Sequence, residues 1–118
     1  MLPLVIELHD RDSGARTLHA FASSPVRIGR NPLNDLVVDA SHVSRWHGVF
    51  HFDADGTSYV DLGSSGGTAL NGLRVASHAA HVVAPSDELT FGSLIVRTTR
   101  TAVSPDFLAR SVARSSSI

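Results

Sequence analysis

The apolar residues of this chain come in short runs, and turn-forming residues break them at brief intervals throughout the first hundred positions. That rhythm is the signature of an all-β sandwich or barrel. Strands are expected over residues 4–9, 17–21, 26–29, 36–38, 47–52, 58–61, 69–70, 73–75, 81–83, 88–91 and 94–98. Between them, Asp12-Ser13-Gly14 and Asp55-Gly56 supply residues that tolerate positive φ. Leu70-Asn71-Gly72-Leu73 is the strongest hairpin signal, with Asn71 and Gly72 as a type I′ turn.

After Thr101 the pattern changes. Ser104-Pro105-Asp106 resembles a helix start, Phe107, Leu108 and Val112 form a weak apolar stripe, and residues 115–117 are all serine. Residues 1–100 therefore read as one domain and 101–118 as a C-terminal tail, either a short helix or a linker.

Composition removes several chemistries. The 118 residues include no cysteine and no lysine, so disulfides, thiolate nucleophiles, thiolate zinc sites, Schiff bases and a P-loop lysine are all excluded. Ten cationic side chains, all arginine, face eleven carboxylates, for a formal charge of −1. A chain without a broad basic field is not expected to bind nucleic acid or an anionic membrane non-specifically. The first ten residues carry Glu7 and no basic residue, unlike a signal peptide, and no stretch reaches the ~20 apolar residues of a membrane span. The expected location is cytoplasmic.

Two loops interrupt the tight β connections. One holds Gly29-Arg30 and, past a short strand, continues through His42-Val43-Ser44-Arg45; the other is Gly63-Ser64-Ser65-Gly66-Gly67-Thr68. Together they gather guanidinium groups, hydroxyls and backbone amides, the donors a phosphate of about −1.5 to −2 charge requires.

Two rival chemistries fit less well. Gly63-x-Ser65-x-Gly67 matches the letters of a hydrolase nucleophile elbow, but an elbow leads from strand to helix, whereas this segment leads into a hairpin. His47 and His51 stand four apart; in a strand they would share a face with Val49, roughly 13 Å from each other at ~3.3 Å per residue, too far to chelate one ion. His78 and His81 add no better set, so neither metal nor cofactor is expected.

Three blocks in order, Gly29-Arg30, Ser44-Arg45-Trp46-His47 and the segment from Asp61 through Leu62-Gly63-Ser64-Ser65-Gly66-Gly67-Thr68 to Asn71-Gly72, resemble the signature of the forkhead-associated (FHA) domain, a reader of phosphothreonine peptides. The resemblance spans roughly residues 4–99. It implies an eleven-stranded β-sandwich of the SMAD/FHA type with ligand-binding loops at one end. It further implies that Arg30 and Ser44 contact phosphate with help from Arg45 and Ser65, and that His42, Val43, Gly66 and Gly67 meet the flanking peptide. Gly29, His47, Thr68, Asn71 and Gly72 would support the site; in particular, Gly29 lets the loop turn close to the ligand, and His47 holds Ser44 in place.

The chain departs from the family pattern at Gly66, where asparagine usually clamps the peptide backbone; Gly48, often alanine, reads as a minor change. The implied function is a non-catalytic module that docks a phosphothreonine-bearing partner downstream of a Ser/Thr kinase. The alternative is a degenerate FHA fold serving as a phosphate-independent scaffold or interaction domain.

Overall fold

The computed structural model describes residues 1–104, all of them in strands, turns and loops. Eleven strands run in chain order: β1 Leu4–Asp10, β2 Arg16–Phe21, β3 Val26–Gly29, β4 Leu36–Val37, β5 Gly48–Phe52, β6 Thr57–Asp61, β7 Ala69–Leu70, β8 Leu73–Arg74, β9 Ala80–Val82, β10 Leu89–Phe91 and β11 Leu94–Arg100. Every boundary falls within two residues of the expected one, because the punctuating Gly, Asn, Asp and Ser set the limits locally. The tail past Ser104, expected as a short helix or a linker, lies outside the described residues.

Two sheets face each other. One has six strands in the order β2-β1-β11-β10-β7-β8, the other five in the order β4-β3-β5-β6-β9. All pairs are antiparallel except β3 with β4. Alternation directs Leu4, Ile6 and Leu8 of β1 inward, where they are fully buried, and the facing sheet answers with Ile28, Phe50 and Tyr59. On the outer face of the six-stranded sheet, Arg97 pairs with Glu7 at 3.3 Å and also with Glu88.

The sandwich has two distinguishable ends. β5 begins at Gly48 where β6 finishes at Asp61, and Phe52 pairs with Thr57 at the opposite end. At that far end Arg100 donates to the Leu2 carbonyl from Nε at 2.9 Å and Nη2 at 2.7 Å, and to the Asp53 carbonyl from Nη1 at 2.7 Å. Its guanidinium also lies over the Phe52 ring, 4.7 Å from the centroid.

One sequence expectation fails. His47 does not share a face with Val49 and His51; it is fully buried, whereas His51 is exposed. The strand starts at Gly48, so alternation within β5 does not extend to the residue before it.

Candidate functional site

The near end is built on Asp61. As β6 leaves the sheet, the chain turns back over this carboxylate: the amides of Gly63 and Ser64 each donate to Oδ2 at 3.0 Å. The Ser64 and Thr68 hydroxyls donate to Oδ1 at 2.5 and 2.8 Å, and Ser77 donates to Oδ2 at 3.1 Å. Burial by itself would raise the pKa of Asp61, but the hydrogen bonds led by Ser64 and Thr68 outweigh it and hold the group below the usual carboxylate value. Thr68 is also bonded to the Tyr59 hydroxyl at 3.1 Å, which ties the loop to the core.

Above Asp61 lies His47, stacked on Phe91 with ring centroids 4.0 Å apart. Its Nδ1 accepts the Ser44 amide proton at 3.1 Å, so the ring is the neutral tautomer with its proton on Nε2. Burial pushes its pKa below the ordinary histidine value, against the pull of the Asp61 carboxylate. Nε2 stands 3.9 Å from Asp61 Oδ1 and closes no hydrogen bond. The imidazole thus fixes the backbone at Ser44 through Nδ1.

At the rim the two loops meet. Ser44 Oγ lies 3.1 Å from Ser65 Oγ and accepts the Ser65 amide at 3.0 Å. The Arg30 amide donates to the Ser44 carbonyl at 3.0 Å, and Arg30 Nε to the Val43 carbonyl at 2.9 Å. The two terminal nitrogens of Arg30 have no partner among the described residues. Arg30 and Arg45 line one open cleft together with Asn31, Pro32 and Asp39. The two guanidinium groups in this cleft, on loops that also carry the Ser44 and Ser65 hydroxyls, are donors of the kind that suit a small anion.

Several supporting residues act differently from expectation. At Gly29 the protein itself leaves no room for a side chain: a Cβ there would collide with the Arg45 carbonyl and lie 2.9 Å from Asn34 Nδ2. Gly48 is no minor change, since a Cβ would run into the Tyr59 ring. Gly66 is the opposite case, because an added Cβ would meet only the His42 carbonyl, at 3.5 Å. Gly67 requires its hydrogen, with φ at 74°.

Asn71 and Gly72 have φ values of 50° and 85°, as a type I′ turn demands. Asn71 does more than turn. Its side chain donates to Asp87 Oδ1 and accepts the Glu88 amide, both at 2.9 Å, so it fastens the hairpin to the loop before β10. The His42 ring packs towards Gly92, with Nε2 buried and unpartnered, and only its backbone borders Gly66.

Asp61 and Asn34 are the residues whose roles the sequence reading missed. Asn34 Nδ2 donates to the Asn31 and Arg45 carbonyls at 2.9 and 2.8 Å and shapes the Arg30 loop. An Asp followed closely by Gly, Ser and Thr is a legible sign of side-chain capping. The Gly63-x-Ser65-x-Gly67 segment joins β6 to β7, strand to strand, and the side-chain partner of Ser65 is a second serine. Among the described residues no three His, Asp or Glu side chains converge as a metal site.

The family model of the FHA domain matches residues 26–92, which contain every one of these loops. The chain belongs to the FHA domain family. Known structures agree with the fold. EmbR of Mycobacterium tuberculosis, solved in complex with a low-affinity phosphopeptide, is 29% identical with a TM-score of 0.68; the match covers 85% of this chain and 25% of EmbR, so the present chain spans about a quarter of that protein. The N-terminal FHA domain of S. cerevisiae Rad53p, solved with a phosphothreonine peptide, is 20% identical with a TM-score of 0.70 over 86% of this chain and 94% of that one. The FHA domain of CT664 from Chlamydia trachomatis is 16% identical with a TM-score of 0.73, covering 85% and 99% of the two chains. No curated protein matches the sequence. No helix among the described residues is long and apolar enough to cross a membrane.

Proposed function

We propose that this FHA domain is a non-catalytic module that binds a phosphothreonine segment of a partner protein, made available by an upstream Ser/Thr kinase. The observation that carries the reading is the junction of Ser44 and Ser65, a hydroxyl pair and an amide within 3.1 Å of each other, on a loop whose Ser44 carbonyl is held by the Arg30 amide. In this role Arg30 and Ser44 hold the phosphate, Ser65 adds its hydroxyl, and Arg45 raises the local positive potential from the same cleft. His47 and Asp61 act beneath, keeping the two loops in register. The phosphopeptide complexes of EmbR and Rad53p support the assignment by family and fold.

A second reading, a scaffold indifferent to phosphate, has one observation in its favour: Gly66 offers no side chain to the peptide. Calorimetric titration with matched phosphothreonine, phosphoserine and unphosphorylated peptides separates the two. Binding confined to phosphorylated peptides and lost in Arg30→Ala is expected; equal binding of all three, unchanged in Arg30→Ala, would establish the scaffold instead.

A further inference from the structure

One cation at the near end belongs to none of the three sequence blocks. Arg74 lies on β8, just after the Asn71-Gly72 turn, and its side chain folds back onto the glycine loop. A Cβ built on Gly67 would stand 2.7 Å from both Cζ and Nη2 of Arg74 and 3.0 Å from its Nε. The guanidinium therefore rests against bare backbone, at a residue whose positive φ excludes any side chain that would push it away. It remains exposed, and among the described residues no carboxylate pairs with it: the ion pairs there are those of Arg97 and of His47 with Asp61. Asp61, under the same loop, already accepts five hydrogen bonds.

We propose that Arg74 selects a partner peptide carrying an anionic side chain a few residues from its phosphothreonine. The inference rests on the phosphopeptide reading above and adds the chemistry of the flanking residue. Ser65 and Gly67 are two residues apart, at most ~7 Å. An extended ligand advancing ~3.3 Å per residue from Ser65 comes level with the guanidinium after about two or three residues. Neither Gly66 nor Gly67 has a side chain to stand between them. An unpaired guanidinium, with its planar set of donors, is suited to grip a carboxylate or a second phosphate at that distance.

The test uses synthetic phosphothreonine peptides that are alanine at all flanking positions, against peptides with one Asp, or one phosphoserine, placed two or three residues before or after the phosphothreonine. At one of these placements the wild-type chain is expected to bind the Asp peptide roughly three- to tenfold tighter than the alanine peptide, in a salt-sensitive manner, and the phosphoserine peptide tighter still. Arg74→Gln should erase that preference and leave affinity for the alanine peptide unchanged. Equal affinity of acidic and alanine peptides, or a preference that survives Arg74→Gln, overturns the role of Arg74 alone. If the alanine phosphopeptide fails to bind, or binds independently of Arg30, the phosphate reading falls and this inference with it.

Discussion

Both ends of the sandwich hold an arginine among loop carbonyls, and they use it in opposite ways. Arg100 directs all three of its nitrogens at protein oxygens and covers the Phe52 ring, so little of its donor capacity remains. Arg30, an exposed residue, gives up Nε alone, to Val43, and its two terminal nitrogens have no partner among the described residues. The same side chain is a clasp where carbonyls surround it and, under the proposed function, a receptor where they do not.

The near end should break most severely through its buried floor. Asp61→Asn replaces a carboxylate that accepts five bonds with an amide whose NH2 would face donors. A loss of about 3 kcal/mol is expected, seen as a fall in melting temperature on the order of 10 °C. An unchanged melting curve would show that the far end alone carries stability. Next comes the exchange of roles between the arginines. Arg30→Ala should cost roughly 100-fold in phosphopeptide affinity with little change in stability, and Arg100→Ala about 1 to 2 kcal/mol in stability with affinity intact. Affinity lost in both variants, or stability lost in both, would erase the contrast.

Acid sharpens it further. His47 at the near end and His19 in the middle of β2 are both buried, and burial lowers both pKa values from the ordinary 6.5. The unfolded chain takes up protons there while the folded chain resists. Stability is therefore full above about pH 6.5 and falls as pH drops through that value, by up to about 1.4 kcal/mol per pH unit for each histidine. Denaturation midpoints at pH 7.5 and pH 5 measure this, and His47→Gln should remove the near-end share; a midpoint indifferent to pH refutes it. The smallest effect is a gain. Gly66→Asn fits the space above the His42 carbonyl and should raise phosphopeptide affinity about two- to tenfold, one hydrogen bond's worth, at unchanged melting temperature; weaker binding in this variant would show that Gly66 is needed bare.

The strands were legible because their limits are written locally, in residues such as Asp55-Gly56 and Asn71-Gly72. The sequence blocks also pointed to segments that lie side by side: the Arg30 amide bonds the Ser44 carbonyl, and the Ser44 and Ser65 hydroxyls meet. What escaped depends on contacts distant in the sequence. The cost of a Cβ at Gly48 is set by Tyr59, eleven positions on and on the neighbouring strand of the same sheet. The reach of Arg74 to Gly67 follows from hairpin geometry that spacing does not encode. The burial of His47 depends on Phe91 from the other sheet, which no periodicity within residues 47–52 contains.

The bond between Ser44 and Ser65 has a kinetic meaning. It joins the loop before β5 to the loop after β6, so under the phosphopeptide reading a ligand would meet donors already assembled and displace one hydroxyl contact without reshaping a loop. Association should then proceed at the rate of productive encounter, steered by the exposed guanidinium groups, with no slow conformational phase. Substitutions among the flanking contacts would be felt chiefly as changes in how long the complex lasts.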